Sequence, residues 1–442
     1  MNNEKNNLTK TMTALDGWAI GTGAMMGVAI FVVSGQISGV AGPAACLGFL
    51  IAAAIVMIVA LCYCEVAVAF PVAGGAYAFP REAIGGKLGD FLSFASGWCL
   101  WGGQGLAPCM VSMACASYIT FLLSLLGIVN PLPEKLIAFV IILLFGIANM
   151  RGGSGGGKAL QLASTLIITA IMLTFIVWGG TSIKKELLIE FAPNGISSIF
   201  ACAAVCIFSF SGWSSIPAMA EEFKDPGKQI PKSIITSLLT CGIIFTLFVY
   251  VMNGLLPGSA LAVSSAPPAD AFMTVTKYGG VLIALGGIFA CVSTGNGLLM
   301  TGARIPYSMS RNADLPASIN KLNKDGIPYI GVIMTVVGQI FLMLTGFISI
   351  ITEMTVFVTS ASWIITIVCL VYLRKKHSDR KVPFRAPFYP LIAVAAFICL
   401  AFIMTRLSQK AILIGIGWVI AGLAVWLIFH KTNMKRYCRI GD

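Results

Sequence analysis

Charge is what this sequence has least of. Asp, Glu, Lys and Arg together make up 10% of its 442 residues, against about 25% in an ordinary soluble domain. A chain so composed cannot coat its own surface in water. With 58% of its residues hydrophobic, its solvent must be lipid. Histidine is nearly absent: His377 and His430 are the only two, both at the ends of apolar stretches. They supply neither a metal site nor a catalytic dyad, and no cofactor is expected. The apolar stretches also lack the clustered His, Asp or Glu of a membrane enzyme, which excludes that class. They lack the repeated polar rings of a channel as well. Residues 1–15 are polar at their start, carry Lys5 and Lys10, and read as a cytoplasmic tail rather than a signal peptide.

What is present repeats along the whole length. A bilayer core takes about 20 apolar residues per helix. Candidate spans lie at 16–41, 43–69, 91–124, 134–150, 158–180, 195–220, 232–256, 279–305, 328–346, 349–373, 388–406 and 411–430. Twelve spans put both termini on one side. With that side cytoplasmic, 23 of the 29 Lys and Arg residues fall inside and six outside, the asymmetry expected of a multi-pass inner-membrane protein. The net charge of +12 is therefore a mark of topology, and nucleic acid is not expected as a partner; membrane lipid is. The 13 cysteines, all but Cys438 within apolar spans, read as small core hydrophobes.

Two spans look interrupted. The first contains Gly21, Gly23 and Gly27 within seven positions, then Ser34-Gly35. The sixth runs Phe208-Ser-Phe-Ser-Gly-Trp-Ser-Ser-Ile-Pro217, which predicts an unwound stretch near mid-membrane. Interrupted helices in matching positions of two halves point to a transporter binding site, since broken backbone is tolerated at that depth only beside a cavity. A half-helix beginning near Val28–Ala29 would offer free N–H groups to a carboxylate. Half-helices ending near Met25 and Phe208–Ser211 would offer carbonyls to an ammonium. Together these suit an α-amino acid zwitterion.

At these residues the chain resembles the amino acid–polyamine–organocation superfamily of permeases. Four stretches carry the likeness: Gly23 to Phe31; Phe70-Pro-Val-Ala-Gly-Gly-Ala-Tyr-Ala-Phe; Phe208 to Pro231, with Glu221-Glu222-Phe-Lys-Asp-Pro226; and Arg304 to Pro316, running on to Pro328. The resemblance implies an all-α LeuT-type fold of twelve transmembrane helices, a five-plus-five inverted repeat with two extra helices and discontinuous helices one and six. The first repeat would span 16–180 and the second 195–373, with helices eleven and twelve at 388–430 and a cytoplasmic tail at 431–442. It also implies an amino acid substrate held by the backbone of Met25, Gly27, Val28, Ala29, Phe208 and Ser211. Trp213 and Ser214 would line the side-chain pocket, and Gln104 and Ala107 would face it. A homodimer stays open. The family usually has Gly where Ala29 stands, so tighter steric selection is expected. Many members carry a Lys seven residues after a Gln in helix five, but Ile168 follows Gln161 at that distance.

No ionisable residue stands mid-span in spans one, three, six, eight or ten, where one would be a functional candidate. Glu65, Lys158, Glu221, Glu222 and Glu353 all sit near span ends and read as structural. A neutral substrate is thus favoured over a cationic one. Exchange without ion coupling, and sodium held by carbonyls with the hydroxyls of Ser293 and Thr294, both stay open. The run Gly152 to Lys158 imitates part of a phosphate-binding loop, but Ala159 stands where magnesium needs Ser or Thr, so it reads as a turn. Trp98 and Trp101 fit either a vestibule or packing between helices. Removing the methyl of Ala29 (Ala29→Gly) should admit larger side chains, and Trp213→Ala should shift selectivity, each by about tenfold. Competition of a panel of unlabelled amino acids against one labelled substrate checks both.

Overall fold

The computed structural model describes residues 10–72, 74–128, 132–151, 156–264, 266–346, 348–405 and 407–438. Lys5, the run Gly152 to Gly155, Arg406 and Arg439 lie outside the described residues, as do the side chains of Val28, Ala29 and Phe208. Among the described residues the fold is helical, and its one strand-like pairing is a parallel bridge between Met12 and Phe223.

The principal helices are α1 (Ala14–Met25), α2 (Val28–Ala41), α3 (Ala45–Ala69), α4 (Gly86–Leu100), α5 (Cys109–Leu125), α6 (Glu134–Met150), α7 (Gly156–Gly180) and α8 (Ile196–Cys206). There follow α9 (Pro226–Leu255), α10 (Gly279–Arg311), α11 (Tyr329–Thr345), α12 (Ile348–Lys376), α13 (Leu391–Met404) and α14 (Gln409–Cys438). Among the described residues seven helices are long and apolar enough to cross a membrane, and α11 and α13 are shorter apolar helices. The last helix runs to Cys438, past the expected boundary at 430. The twelve cysteines other than Cys438 are free thiols, eleven of them buried.

Helix α10 is the most enclosed of the seven, and its small residues explain why. Gly287 lies against the Tyr118 ring, Gly295 against Phe145, and Gly302 against the backbone of Gly105. Without a hydrophobic force between helices in lipid, such close approach is what holds them. The expected third span is not one continuous α-helix. Between α4 and α5 the chain widens into a π-turn at Trp101–Leu106. Pro108 explains it: a proline here has no N–H to give and crowds the carbonyl four residues back, at Gln104.

The sixth span departs from expectation differently. After α8 the chain does not unwind; it tightens into 3₁₀ turns at Ile207–Ser215 and Pro217–Glu222, with Met219 outside helical geometry at φ −105° and ψ 18°. A 3₁₀ run this long is uncommon and marks a stressed or functional stretch. Trp98 and Trp101 pack between helices. Trp98 stacks on Trp418 at 4.9 Å, and each indole N–H donates to the other's carbonyl, at 2.9 and 3.1 Å. Trp101 donates to Thr335 Oγ1 at 3.2 Å.

One end of the molecule is tied by ion pairs. Glu222 takes the Arg304 guanidinium, its carboxylate lies 4.0 Å from Lys158 Nζ, and its carbonyl accepts from Met12 N at 2.8 Å. Lys158 also donates to Thr11. Glu221 pairs with Arg311 at 2.8 Å, and Glu65 pairs with Arg374 at 2.6 Å and accepts from Ala386 N at 2.7 Å. Glu353 accepts from Ser408 N at 2.9 Å. Each charged residue singled out near a span end therefore has a structural partner.

The tightest knot surrounds Asp314, which is fully buried. Its carboxylate accepts from Tyr77 OH at 2.7 Å, Arg81 Nη2 at 3.1 Å and Trp426 Nε1 at 3.3 Å, while Arg81 Nε reaches Asp90 at 2.6 Å. Burial, followed by the Asp314 charge, holds the Tyr77 phenol well above its ordinary pKa, so it stays a donor. Asp314→Ala leaves Arg81 with the Asp90 carboxylate alone and the buried Tyr77 hydroxyl without its acceptor, and should lower unfolding stability by about 1–3 kcal/mol. A drop in the midpoint of thermal unfolding of purified protein in detergent is the expected reading.

Candidate functional site

The first interruption falls where the glycines are. Helix α1 ends at Met25, Met26 and Gly27 leave the helical path, and α2 starts at Val28. Gly27 is extended at φ −89° and ψ −166°, and no side chain caps the N-terminus of α2. The leading N–H groups of α2 thus have no partner within the helix, and the helix dipole favours negative charge beside them.

The second interruption lies directly against the first. Gly212, in the 3₁₀ run, sits so close to α1 that a Cβ there would come 2.5 Å from the Ala24 carbonyl carbon and 2.7 Å from its oxygen. Two main chains meet with no side chain between them. Gln104, on the π-turn, closes the third side. Its amide nitrogen donates to Ser211 O at 3.3 Å and to the Ser214 hydroxyl. Gln104 is 3% exposed and Ser214 fully buried, so these bonds form away from water.

A cluster of uncharged polar side chains braces the inner half of α1. Thr165 Oγ1 donates to Ala19 O at 3.0 Å, and Gln161 Nε2 donates to the same carbonyl at 3.2 Å. Ser293 Oγ lies 2.7 Å from Thr165 Oγ1 and 3.0 Å from Gln161 Nε2. Asn296 Nδ2 reaches Gln161 Oε1 at 3.1 Å and Gly157 O at 2.9 Å, and Asn149 Nδ2 bonds Asn296 Oδ1 at 2.8 Å. Thr294 Oγ1 donates to Gly23 O at 2.8 Å. Gly23 has to be glycine, because a Cβ would collide with the side chains of Ser293, Thr165 and Gln161. Helices α1, α6, α7 and α10 are thereby joined through buried amides and hydroxyls, the arrangement a broken helix in hydrocarbon requires.

The sequence-predicted residues gather as follows. Met25, Gly27, Gln104, Ser211, Trp213 and Ser214 all lie at or beside the junction of the two interruptions, and the backbones of Val28, Ala29 and Phe208 belong to its elements. Ser293 and Thr294 sit deeper, with their hydroxyls already bonded as described. Ala107 instead packs into a second apolar cluster with Cys109 and Leu299. Trp213 is fully buried, edge-on to Tyr63 at 5.0 Å and 5.1 Å from Trp363. Helix α12 was overlooked: Thr355, Thr359 and Trp363 face the 3₁₀ run. Their spacing of four residues, which puts them on one helical face, was the available signal.

The amino acid permease family model matches residues 17–431. The chain is 27% identical over 446 residues to the branched-chain amino acid permease BcaP of Bacillus subtilis, covering 97% of this chain and 94% of that protein. It is 28% identical over 448 residues to the methylthioribose transporter of the same species, covering 96% and 94%. Against the chloroplastic cationic amino acid transporter 9 of Arabidopsis thaliana it is 28% identical over 334 residues, 72% of this chain and 58% of that one. An all-helical multi-pass membrane protein matched over nearly its whole length, this chain belongs to the amino acid permease family.

Proposed function

We propose that the chain is a secondary transporter that carries a neutral L-amino acid across the cell membrane by alternating access. In this reading it has twelve transmembrane helices in a five-plus-five inverted repeat, 16–180 and 195–373, followed by two further helices, with both termini cytoplasmic. The observation that carries it is the contact of two interrupted helices, main chain to main chain, at Ala24 and Gly212. The N–H groups of Val28 and Ala29 at the uncapped start of α2 suit the substrate carboxylate, with Gly27 supplying the turn. The carbonyls of Met25, Phe208 and Ser211 suit its ammonium, and Gln104 positions Ser211.

Neutrality follows from charge. Residues 17–41, 91–133 and 195–220 contain no Asp, Glu, Lys or Arg, so a cationic side chain would enter without a counter-charge. The relatives named as cationic amino acid transporters favour the alternative of a cationic amino acid or polyamine antiporter. On coupling, the Ser293 and Thr294 hydroxyls already serve Thr165, Gln161 and Gly23. That supports exchange without an ion over a sodium site built from the same two residues.

Proteoliposomes preloaded with unlabelled amino acid, with and without imposed proton or sodium gradients, test this. Uptake of a labelled neutral amino acid should depend on internal substrate and change by less than about twofold with either gradient. Uptake driven by a gradient refutes the uncoupled cycle, preference for arginine or a polyamine establishes the alternative, and binding without any transport leaves a sensor.

A further inference from the structure

Three helix ends meet at the Glu222 end of the bundle: the last turn of α12, the first turn of α9 and the start of α13. The loop 377–390, which joins α12 to α13, is fastened there at several points. Arg374 pairs with Glu65, whose carboxylate also accepts from Ala386 N at 2.7 Å. Lys376 donates to Ile84 O at 2.9 Å, and the Arg380 guanidinium lies 4.6 Å from the centre of the Phe70 ring. Pro383 packs against Gly227 of α9, where an added Cβ would come 3.1 Å from the proline ring. That contact joins two basic segments into one surface.

Lys375, Lys381 and Arg385 come from the loop side, and Lys224, Lys228 and Lys232 from the α9 side; all are exposed. Their side chains make no ion pair among the described residues. Asp225 and Asp379 are the acidic residues within these two segments, so the surface is strongly positive. Beside it the chain presents apolar groups. Phe388 is 84% exposed and is held at φ 53°, a region that a bulky side chain rarely adopts. Leu391, which opens the apolar helix α13, is 70% exposed. An aromatic ring at the mouth of such a helix sits at the level of the lipid headgroups.

A partner for this surface must carry negative charge in the headgroup plane and hydrocarbon directly beneath it. A nucleic acid or an acidic peptide would answer the lysines and leave Phe388 and Leu391 in water. A zwitterionic lipid answers the apolar groups but brings a cation among cations. We infer that the surface is a binding site for anionic phospholipid, in the leaflet at the Glu222 end, which is cytoplasmic in the orientation proposed above. The unpaired Lys and Arg side chains on both sides of the Pro383–Gly227 contact hold the headgroup, and Phe388 with Leu391 lies along the acyl chain. A basic side chain at a membrane surface strengthens such binding by about fivefold. None of these residues belongs to the junction of the two interrupted helices, so lipid is bound here whatever the chain transports.

Native mass spectrometry of the full-length protein in neutral detergent, with phosphatidylglycerol and phosphatidylcholine added at equal concentration, tests this. The wild type should retain phosphatidylglycerol at least about tenfold better. Lys381→Gln with Arg385→Gln should lower that preference about tenfold. The control is Lys321→Gln with Lys324→Gln, an equal loss of charge in the loop where Asn323 bonds Met150 O near the end of α6; it should change nothing. If the first variant fails to fold, Lys228→Gln with Lys232→Gln reads the same preference from the α9 side. Equal retention of the two lipids by the wild type, or an equal loss in the control, overturns the site. Millimolar inorganic phosphate should leave the preference intact, because it offers nothing to Phe388 and Leu391; if it abolishes the preference, the site takes a free anion and the lipid reading falls.

Discussion

A main chain surrounded by hydrocarbon has no water to which it can send an unpaired carbonyl, and each one left alone costs several kcal/mol. Everything distinctive in this fold follows from how that constraint is met around the interruption at Met26 and Gly27. The Ala19 and Gly23 carbonyls of α1 are taken by Thr165, Gln161 and Thr294. Asn296 and Asn149 extend the network to the neighbouring helices. The network is built of uncharged side chains, so its bonds persist across the ordinary range of pH. With that half of α1 secured, the uncapped start of α2 can remain open.

The same constraint explains why three different backbone geometries occur within one small region. Gly27 lets α1 stop and restart, the sixth span tightens into 3₁₀ turns, and the third widens into a π-turn. The three meet around Gln104 and Ser211. α-Helix flanks the first interruption and the π-turn, whereas the sixth span passes from α8 through two 3₁₀ stretches before α9 begins.

Much of this was legible in the residues. Low charge, the repeat of apolar stretches and the two Gly- and Ser-rich interruptions pointed to a helical membrane protein and to where its helices would falter. The π-turn was not foreseen, although Gly102-Gly103-Gln104-Gly105 followed by Pro108 carries the signal. The polar cluster was hidden for a different reason: Asn149, Thr165 and Asn296 are single polar residues scattered over three helices, and only packing shows that they share one network. Gln161 stood out merely as a marker before Ile168, whereas its amide joins four other groups. Charged residues near the span ends have partners within the fold, but sequence spacing could not pair Glu65 with Arg374 or Tyr77 with Asp314, partners more than two hundred residues apart.

The pairing of Met12 with Phe223 bears on how the molecule is made. The amino-terminal segment leaves the ribosome first, yet its partners around Glu222 lie more than two hundred residues downstream. At about 5–20 residues per second, that separation is a wait of roughly 10–40 s. Glu222 itself then waits for Arg304. Met12, made early, is therefore among the last to be fastened. Membrane insertion of the first spans proceeds with the tail free, and its docking closes one end of the bundle only after most of the helices that it seals have been synthesised.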